Sequence, residues 1–188
     1  MDESKASYFI EAVRNNKPYQ SAVIFDIDNQ ASIYFSSPIV DGSGAILGVL
    51  RAQHNADALK QLVQSARGLA GQGSFAILLD ENMMRLVHGR RSDLQYTLAA
   101  NVDEKEISAL QQQNRLPLVT LKDDAESSEW LKGVQDGNAS TGLIESSFYG
   151  FGTDPFLASV IKLETAPWLL IFAQPQDVFL QPIEEQLS

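Results

Sequence analysis

The run Val49-Leu50-Arg51-Ala52-Gln53 sets an arginine among apolar neighbours. Side chains alternate across a strand, so Val49, Arg51 and Gln53 share one face. A guanidinium there is costly to bury unpaired, and a bound anion would satisfy it through charge-assisted hydrogen bonds. The alternatives are that Arg51 meets solvent, its long stem lying on apolar surface, or an internal carboxylate such as Asp26. On the preceding run Tyr34 and Ser36 share a face and could line the same pocket, although a tyrosine in that place also serves as core packing. A second candidate for chemistry is AVIFDIDNQ, residues 22–30, an apolar run ending in Asp26 and Asp28.

Other chemistry is scarce. The chain has no cysteine, which excludes disulfides, thiol nucleophiles and cysteine zinc sites. His54 and His88 are the two histidines, too few for a histidine metal cluster, and His88 in LVHGRR reads as a strand-end residue. No Gly-x-Ser-x-Gly elbow occurs, GFG at 150–152 reads as a hairpin turn, and Asn138-Ala139-Ser140 is a short glycosylation match of little weight. With a net charge of −10 and its fourteen basic residues scattered, the chain lacks the basic patch that nucleic-acid binding draws on. Its 188 residues, 44% of them hydrophobic, can form one large domain or two small lobes. The apolar runs are far shorter than the roughly 20 residues of a membrane span, and MDESKAS lacks a signal-peptide layout. The chain is therefore expected to be either soluble and cytoplasmic or a portion of a longer protein.

The elements that would position these residues follow from periodicity. Tyr8, Phe9, Ala12 and Val13 recur at helical spacing, and the helix should stop before Pro18. Strands are predicted over 22–28, 31–40 and 45–53, joined by turns at 28–30 and 41–44 into a three-stranded antiparallel meander. Asn55 can cap a helix whose stripe is Ala56, Leu59, Leu62, Val63 and Ala66, ending at Gly68. Strands follow at 74–79, 85–88, 143–149, 155–162 and 168–174, with short helices at 103–112 and 127–135. Residues 32–59 and 155–180 share a faint repeat in which a β-hairpin feeds a helix. Trp130 and Trp168 are assigned to the core.

Asp26-x-Asp28 resembles the first motif of haloacid-dehalogenase-type phosphatases. That resemblance implies Asp26 as nucleophile and Asp28 as general acid beside magnesium. Yet Gln30 stands where the motif continues with Thr or Val, and the turn-length connections favour antiparallel pairing over an alternating parallel fold. Lys122-Asp123-Asp124 compresses the downstream stations into adjacent residues, which cannot converge separately on Asp26.

ASYFIEAVRNNKPY, SIYFSSPIVDGSGAILGVLRAQHNADAL and GSFAILLDENMMRLVHG together resemble the double Cache sensor domains of bacterial histidine kinases, chemoreceptors and nucleotide cyclases. The matching elements are Tyr8-Phe9 with Ala12, the Pro38 to Gly42 turn, Gly48-Val49, and Pro167-Trp168 opening the last strand. The resemblance implies an α+β, PAS-like fold of antiparallel sheets flanked by helices, with residues 1–66 a partial membrane-distal lobe plus connector helix and 67–188 the membrane-proximal lobe. It implies an extracytoplasmic sensing domain of an inner-membrane receptor, anchored in the full-length protein, binding a small molecule and having no catalytic residue, metal or cofactor. The candidate ligand-binding set is Tyr8, Tyr34, Ser36, Arg51 and Gln53. Where the amino-acid-binding subgroup carries an Arg and an Asp, this chain has Ala6 and Gln53, so amino-acid sensing is not expected and an anionic ligand remains open. An unpaired sheet edge makes a homodimer a further expectation to test. The competing reading is a cytoplasmic PAS-type interaction domain.

Overall fold

The computed structural model describes residues 3–100, 102–118, 144–146 and 155–187. The chain divides into two compact units, Met1–Ala58 with Ser108–Leu118 and Leu59–Ile107 with Val119–Ser188. Each contains an antiparallel sheet, and with the helices this is the α+β class expected.

In the first unit, helix α1 (Ser7–Asn15) buries Tyr8 and Ala12, which lie four residues apart on one face. It stops at Asn16, whose left-handed backbone (φ 47°) suits an asparagine cap. Strands β1 (Tyr19–Gln20) and β2 (Ile24–Phe25) pair with β3 (Ala31–Val40), Tyr19 opposite Ser36 and Ile24 opposite Ser32. The strand expected over 22–28 is thus a two-part strand that begins earlier. Its break is at Ser21, whose hydroxyl accepts the Tyr34 N–H at 2.9 Å while its own N–H bonds the Tyr34 carbonyl at 2.8 Å. A side-chain oxygen takes the place of a ladder carbonyl, and the backbone is free to bend away. Strand β4 (Ile46–Asn55) pairs with β3 from Ser32↔Asn55 to Val40↔Ile46, with a bulge at Ile39/Val40, completing the expected meander.

The Asn55 side chain accepts the Asp57 N–H at 2.8 Å as the chain enters helix α2 (Ala58–Ser65). Helix α3 (Glu104–Gln112) opens on Asp103, whose carboxylate accepts the Glu106 N–H at 2.8 Å. Ser108–Leu118 belongs to the first unit, where the Asn114 carbonyl accepts the Phe25 N–H at 2.8 Å and Leu110 and Leu116 are buried.

The second unit holds β5 (Phe75–Leu79), β6 (Arg85–His88), β7 (Ile144–Ser146), β8 (Phe156–Lys162) and β9 (Leu169–Pro175), in the order β6-β5-β9-β8-β7. Alternation puts Phe156, Ala158 and Val160 together with Leu169, Ile171 and Ala173 into one core with Phe75, Ile77 and Leu79. Strand β5, interior to the sheet between β6 and β9, is buried on both faces, which is why its sequence FAILL does not alternate. Trp168 is buried, as expected. Helix α4 (Gln176–Leu187) follows β9 as α2 follows β4, so each half of the faint repeat is a hairpin feeding a helix. The expected helix at 127–135, Trp130, and the expected strand at 143–149 beyond Ile144–Ser146 lie outside the described residues.

At the end of β6, His88 is 2% exposed and its ring stacks on Phe75, centroids 5.2 Å apart. Its Nδ1 accepts the backbone N–H groups of Arg90 and Arg91 at 3.2 and 3.1 Å, so the ring is neutral and locked in one tautomer. Burial, then the positive charges of Arg85, Arg91 and Arg90, opposed by Asp93, push its pKa down to about 4. As pH falls from 6.5 toward 4 the unfolded chain binds a proton that the folded chain refuses, so stability is lost across that window and no further below it. The difference corresponds to up to about 3 kcal/mol. Urea unfolding at pH 7 and pH 4 should show wild type losing about that much more than His88→Asn, which keeps a side-chain acceptor; equal losses would refute the assignment.

Gly89 makes a close approach, its N–H 2.8 Å from the Ala76 carbonyl. A Cβ there would stand 2.7 Å from that same oxygen. Gly89→Ala should therefore force the strands apart and cost on the order of 1–3 kcal/mol in chemical denaturation. An unchanged midpoint would mean that β6 shifts freely.

Candidate functional site

The β3–β4 register decides which side chains meet. Tyr34 stands opposite Gln53 and Ser36 opposite Arg51, so these four share the face on which Ser32 and Asn55 also lie. Helix α1 brings Tyr8 onto that face, its ring stacked on Tyr34 with centroids 5.3 Å apart and planes 25° apart. The Ser36 hydroxyl donates to the Tyr8 carbonyl at 2.7 Å, pinning the first helical turn to the sheet.

The Arg51 guanidinium lies 5.2 Å from the Tyr8 ring centre and 5.6 Å from that of Tyr34. Both ring quadrupoles attract it, so its position is fixed by aromatic contact as well as by hydrogen bonds. Arg51 Nη1 donates to both oxygens of Glu3 at 3.0 and 3.1 Å and to the Tyr8 hydroxyl at 3.1 Å. The Tyr8 hydroxyl in turn donates to Glu3 Oε2. One carboxylate is thus held by two donors, a guanidinium and a phenol. The Tyr8 hydroxyl is pushed above its ordinary pKa, by burial first and then by the Glu3 carboxylate that accepts its hydrogen bond. Glu3 is held below the usual carboxylate range by that same bond and by the charge of Arg51. Tyr8 therefore stays a donor and Glu3 an anion at neutral pH. The ion pair is half open, with the Arg51 side chain 36% and that of Glu3 43% exposed.

The predicted residues Tyr8, Tyr34, Ser36 and Arg51 form one cluster. Gln53 stands beside it, its amide donating to the Ser32 hydroxyl at 3.0 Å. Glu3 is the member that sequence reasoning missed, being 48 residues from its partner in a polar stretch with no periodicity.

Asp26 does not face Arg51. Its Oδ1 accepts the N–H groups of Asp28 and Gln30 at 2.9 and 2.8 Å, closing a turn in which Asn29 is left-handed (φ 58°). The turn expected at 28–30 is thus closed by the Asp26 side chain, which stands just before it. The same turn recurs twice. Asp41 accepts from Ser43 and Ala45 with Gly44 left-handed, and Asp80 accepts from Asn82 and Met84 with Met83 left-handed. The sheet beside Asp26 is antiparallel throughout, which removes the phosphatase geometry. Lys122-Asp123-Asp124 lies outside the described residues. Among the described residues no group of three or more acidic, His or Cys side chains could hold a metal ion. A separate cavity of about 240 Å³ beside the Asp26 turn is walled by Phe25, Ile27, Asn114 and Leu116, and none of the five predicted residues lines it. No helix among the described residues is long and apolar enough to cross a membrane.

The Ser36 hydroxyl gives the Tyr8 carbonyl a bond in addition to the one it has within the helix. Ser36→Ala should lower stability by about 0.5–1.5 kcal/mol, the net worth of the one bond lost between helix and sheet. Guanidinium unfolding of the two proteins measures this, and a change below about 0.3 kcal/mol would mean that the helix contact is held elsewhere.

No protein-family model matches the sequence, and comparison with curated proteins finds no match. Solved structures do. The extracellular domain of mmHK1S-Z3, assigned as a histidine kinase, aligns with TM-score 0.66 at 13% identity, over 98% of this chain and 59% of that one. The ligand-binding domain of Campylobacter jejuni chemoreceptor Tlp3, solved with 4-methylisoleucine, aligns with TM-score 0.59 at 17% identity, over 97% and 57%. The ligand-binding domain of Pseudomonas aeruginosa amino-acid chemoreceptor PctC, solved with GABA, aligns with TM-score 0.55 at 15% identity, over 93% and 63%. This chain has the fold of such Cache-type, PAS-like sensor domains, and it spans less than two thirds of the length of each of these three.

Proposed function

We propose that this chain is the ligand-sensing portion of an extracytoplasmic receptor domain, without catalysis of its own. The observation that carries the reading is Arg51, a half-exposed cation clamped over two stacked tyrosines where α1 meets the β3–β4 face. A half-open cation with fixed geometry is a recognition element, because binding to it requires little further ordering. The similar folds of histidine-kinase and chemoreceptor sensor domains support the same reading. In it, residues 1–66 are the partial membrane-distal lobe and 67–188 the membrane-proximal lobe. The full-length receptor is anchored in the inner membrane with this part in the periplasm, and its output is a histidine kinase, a chemoreceptor signalling domain or a nucleotide or diguanylate cyclase. Ligand binding would be relayed by differential affinity for two conformations of the sensing unit. Homodimerisation through an unpaired sheet edge belongs to the same proposal.

One observation favours the interaction-domain alternative. The opposite face of the β3–β4 hairpin exposes Phe35 (41%), Ile39 (48%) and Leu50 (65%). The gene decides between the two: apolar stretches of about 20 residues flanking this chain support the receptor, and their absence the interaction domain.

The direct test is thermal unfolding with organic acids, amino acids and amines at millimolar concentration. A ligand at about 100 times its Kd stabilises by about 2.7 kcal/mol, a Tm rise on the order of 5–10 °C for a chain of this size. Arg51→Gln should abolish the rise. Silence across the panel, or a rise that Arg51→Gln leaves intact, counts against the site.

A further inference from the structure

Resting on that reading of the site, we infer that its ligand is a small carboxylate and that Glu3 is a built-in occupant which this carboxylate displaces. The arrangement around Glu3 is a complete carboxylate receptor. Arg51 Nη1 reaches both of its oxygens at 3.0 and 3.1 Å, and the Tyr8 hydroxyl donates to one of them. Neither donor depends on Glu3 for its place. The guanidinium is held over the Tyr8 and Tyr34 rings, and Tyr8 is itself held by stacking on Tyr34 and by the Ser36 bond to its carbonyl. A free carboxylate entering this position would inherit the same hydrogen bonds and the same charge partner, while Glu3 passes into water.

Glu3 is suited to leave. It precedes α1 in a turn closed by the Ala6 N–H on its carbonyl at 2.9 Å, so its side chain can swing away while the backbone stays folded. Ion pairs as exposed as this one contribute little to stability, which makes the latch weak. A weak intramolecular occupant still taxes affinity, since the apparent Kd is the intrinsic Kd divided by the fraction of time that the site is open.

The chemistry also narrows the ligand. Ser32, Ser36 and Gln53, which flank the cluster on the sheet, are neutral. When Glu3 leaves, they offer no negative charge to an ammonium group. The ligand class is therefore a monocarboxylic acid recognised by its carboxylate, with no requirement for an amine.

The experiment uses the whole chain, as wild type, Glu3→Gln and Arg51→Gln, titrated calorimetrically with propionate, propionamide and propylammonium. Propionate is expected to bind wild type, and Glu3→Gln to bind it on the order of five-fold more tightly, because the occupant is gone. Arg51→Gln should bind none, and the amide and amine should bind no variant. Arg51→Lys, which keeps the charge without the planar fork, should bind propionate weakly and thereby separates lost recognition from lost folding. The inference is overturned if Glu3→Gln leaves propionate affinity unchanged or weakens it, or if propionamide binds as well as propionate. Should propionate fail on wild type and Glu3→Gln while a member of the broader panel that has no carboxylate raises Tm through Arg51, the sensing role stands and the carboxylate assignment falls. If nothing binds, both fall.

Discussion

The antiparallel register of β3 against β4 is the constraint from which the site follows. With Tyr34 opposite Gln53 and Ser36 opposite Arg51, one ladder places the polar and aromatic groups under α1 and sends Phe35, Ala52 and His54 to the other side. A slip of one residue would exchange the two sets completely. The register is guarded at one end by the Asp41 turn and a bulge at Ile39/Val40, and in the middle by α1 itself. Only in this pairing can Arg51 of β4 reach the ring and hydroxyl of Tyr8 while Tyr8 stacks on Tyr34 and bonds Ser36 of β3. Helix position and strand register lock each other, and the cation is fixed as a result.

The hairpin turns follow one local rule. DIDNQ, DGSGA and DENMM each begin with an aspartate whose Oδ1 accepts the N–H groups two and four residues on, with a left-handed residue between. Asn29 and Gly44 take that conformation readily, whereas Met83 does so against its preference and in exchange buries its side chain in the core of the second unit. Repetition is what separates Asp26 from a nucleophile. An aspartate that performs the same backbone task in three hairpins is a turn residue in each, and Asp28 is simply the residue whose N–H it accepts.

Most of the fold was legible because its determinants are local. Alternation marked β3, β4, β8 and β9, helical spacing marked α1, and Asn55 marked the entry to α2. The break at Ser21 was not legible, since it depends on a hydroxyl meeting the Tyr34 N–H thirteen residues away. In the site, alternation alone joined Tyr34 with Ser36 and Arg51 with Gln53, because a strand fixes faces before any tertiary contact forms. The partner of Arg51 was beyond such reasoning. Asp26 looked eligible from its place at a strand end, but its acceptor oxygen is committed to the turn, and the carboxylate that arrives comes from a polar stretch before α1 that no pattern distinguishes.

That origin gives the site its mechanical character. Arg51 belongs to the sheet and Glu3 to the turn leading into the helix, while Tyr8 bonds both and is buried between them. Whatever occupies the carboxylate position is therefore read by the first turn of α1 as well as by the sheet. When the occupant is Glu3, helix and sheet are tied by the chain itself. When it is any other anion, the tie through Glu3 is cut while stacking and the Ser36 bond persist. In the proposed exchange the two states would share cation and aromatic geometry and differ in one tether, and because that tether is an exposed ion pair a ligand of modest affinity would suffice to shift them.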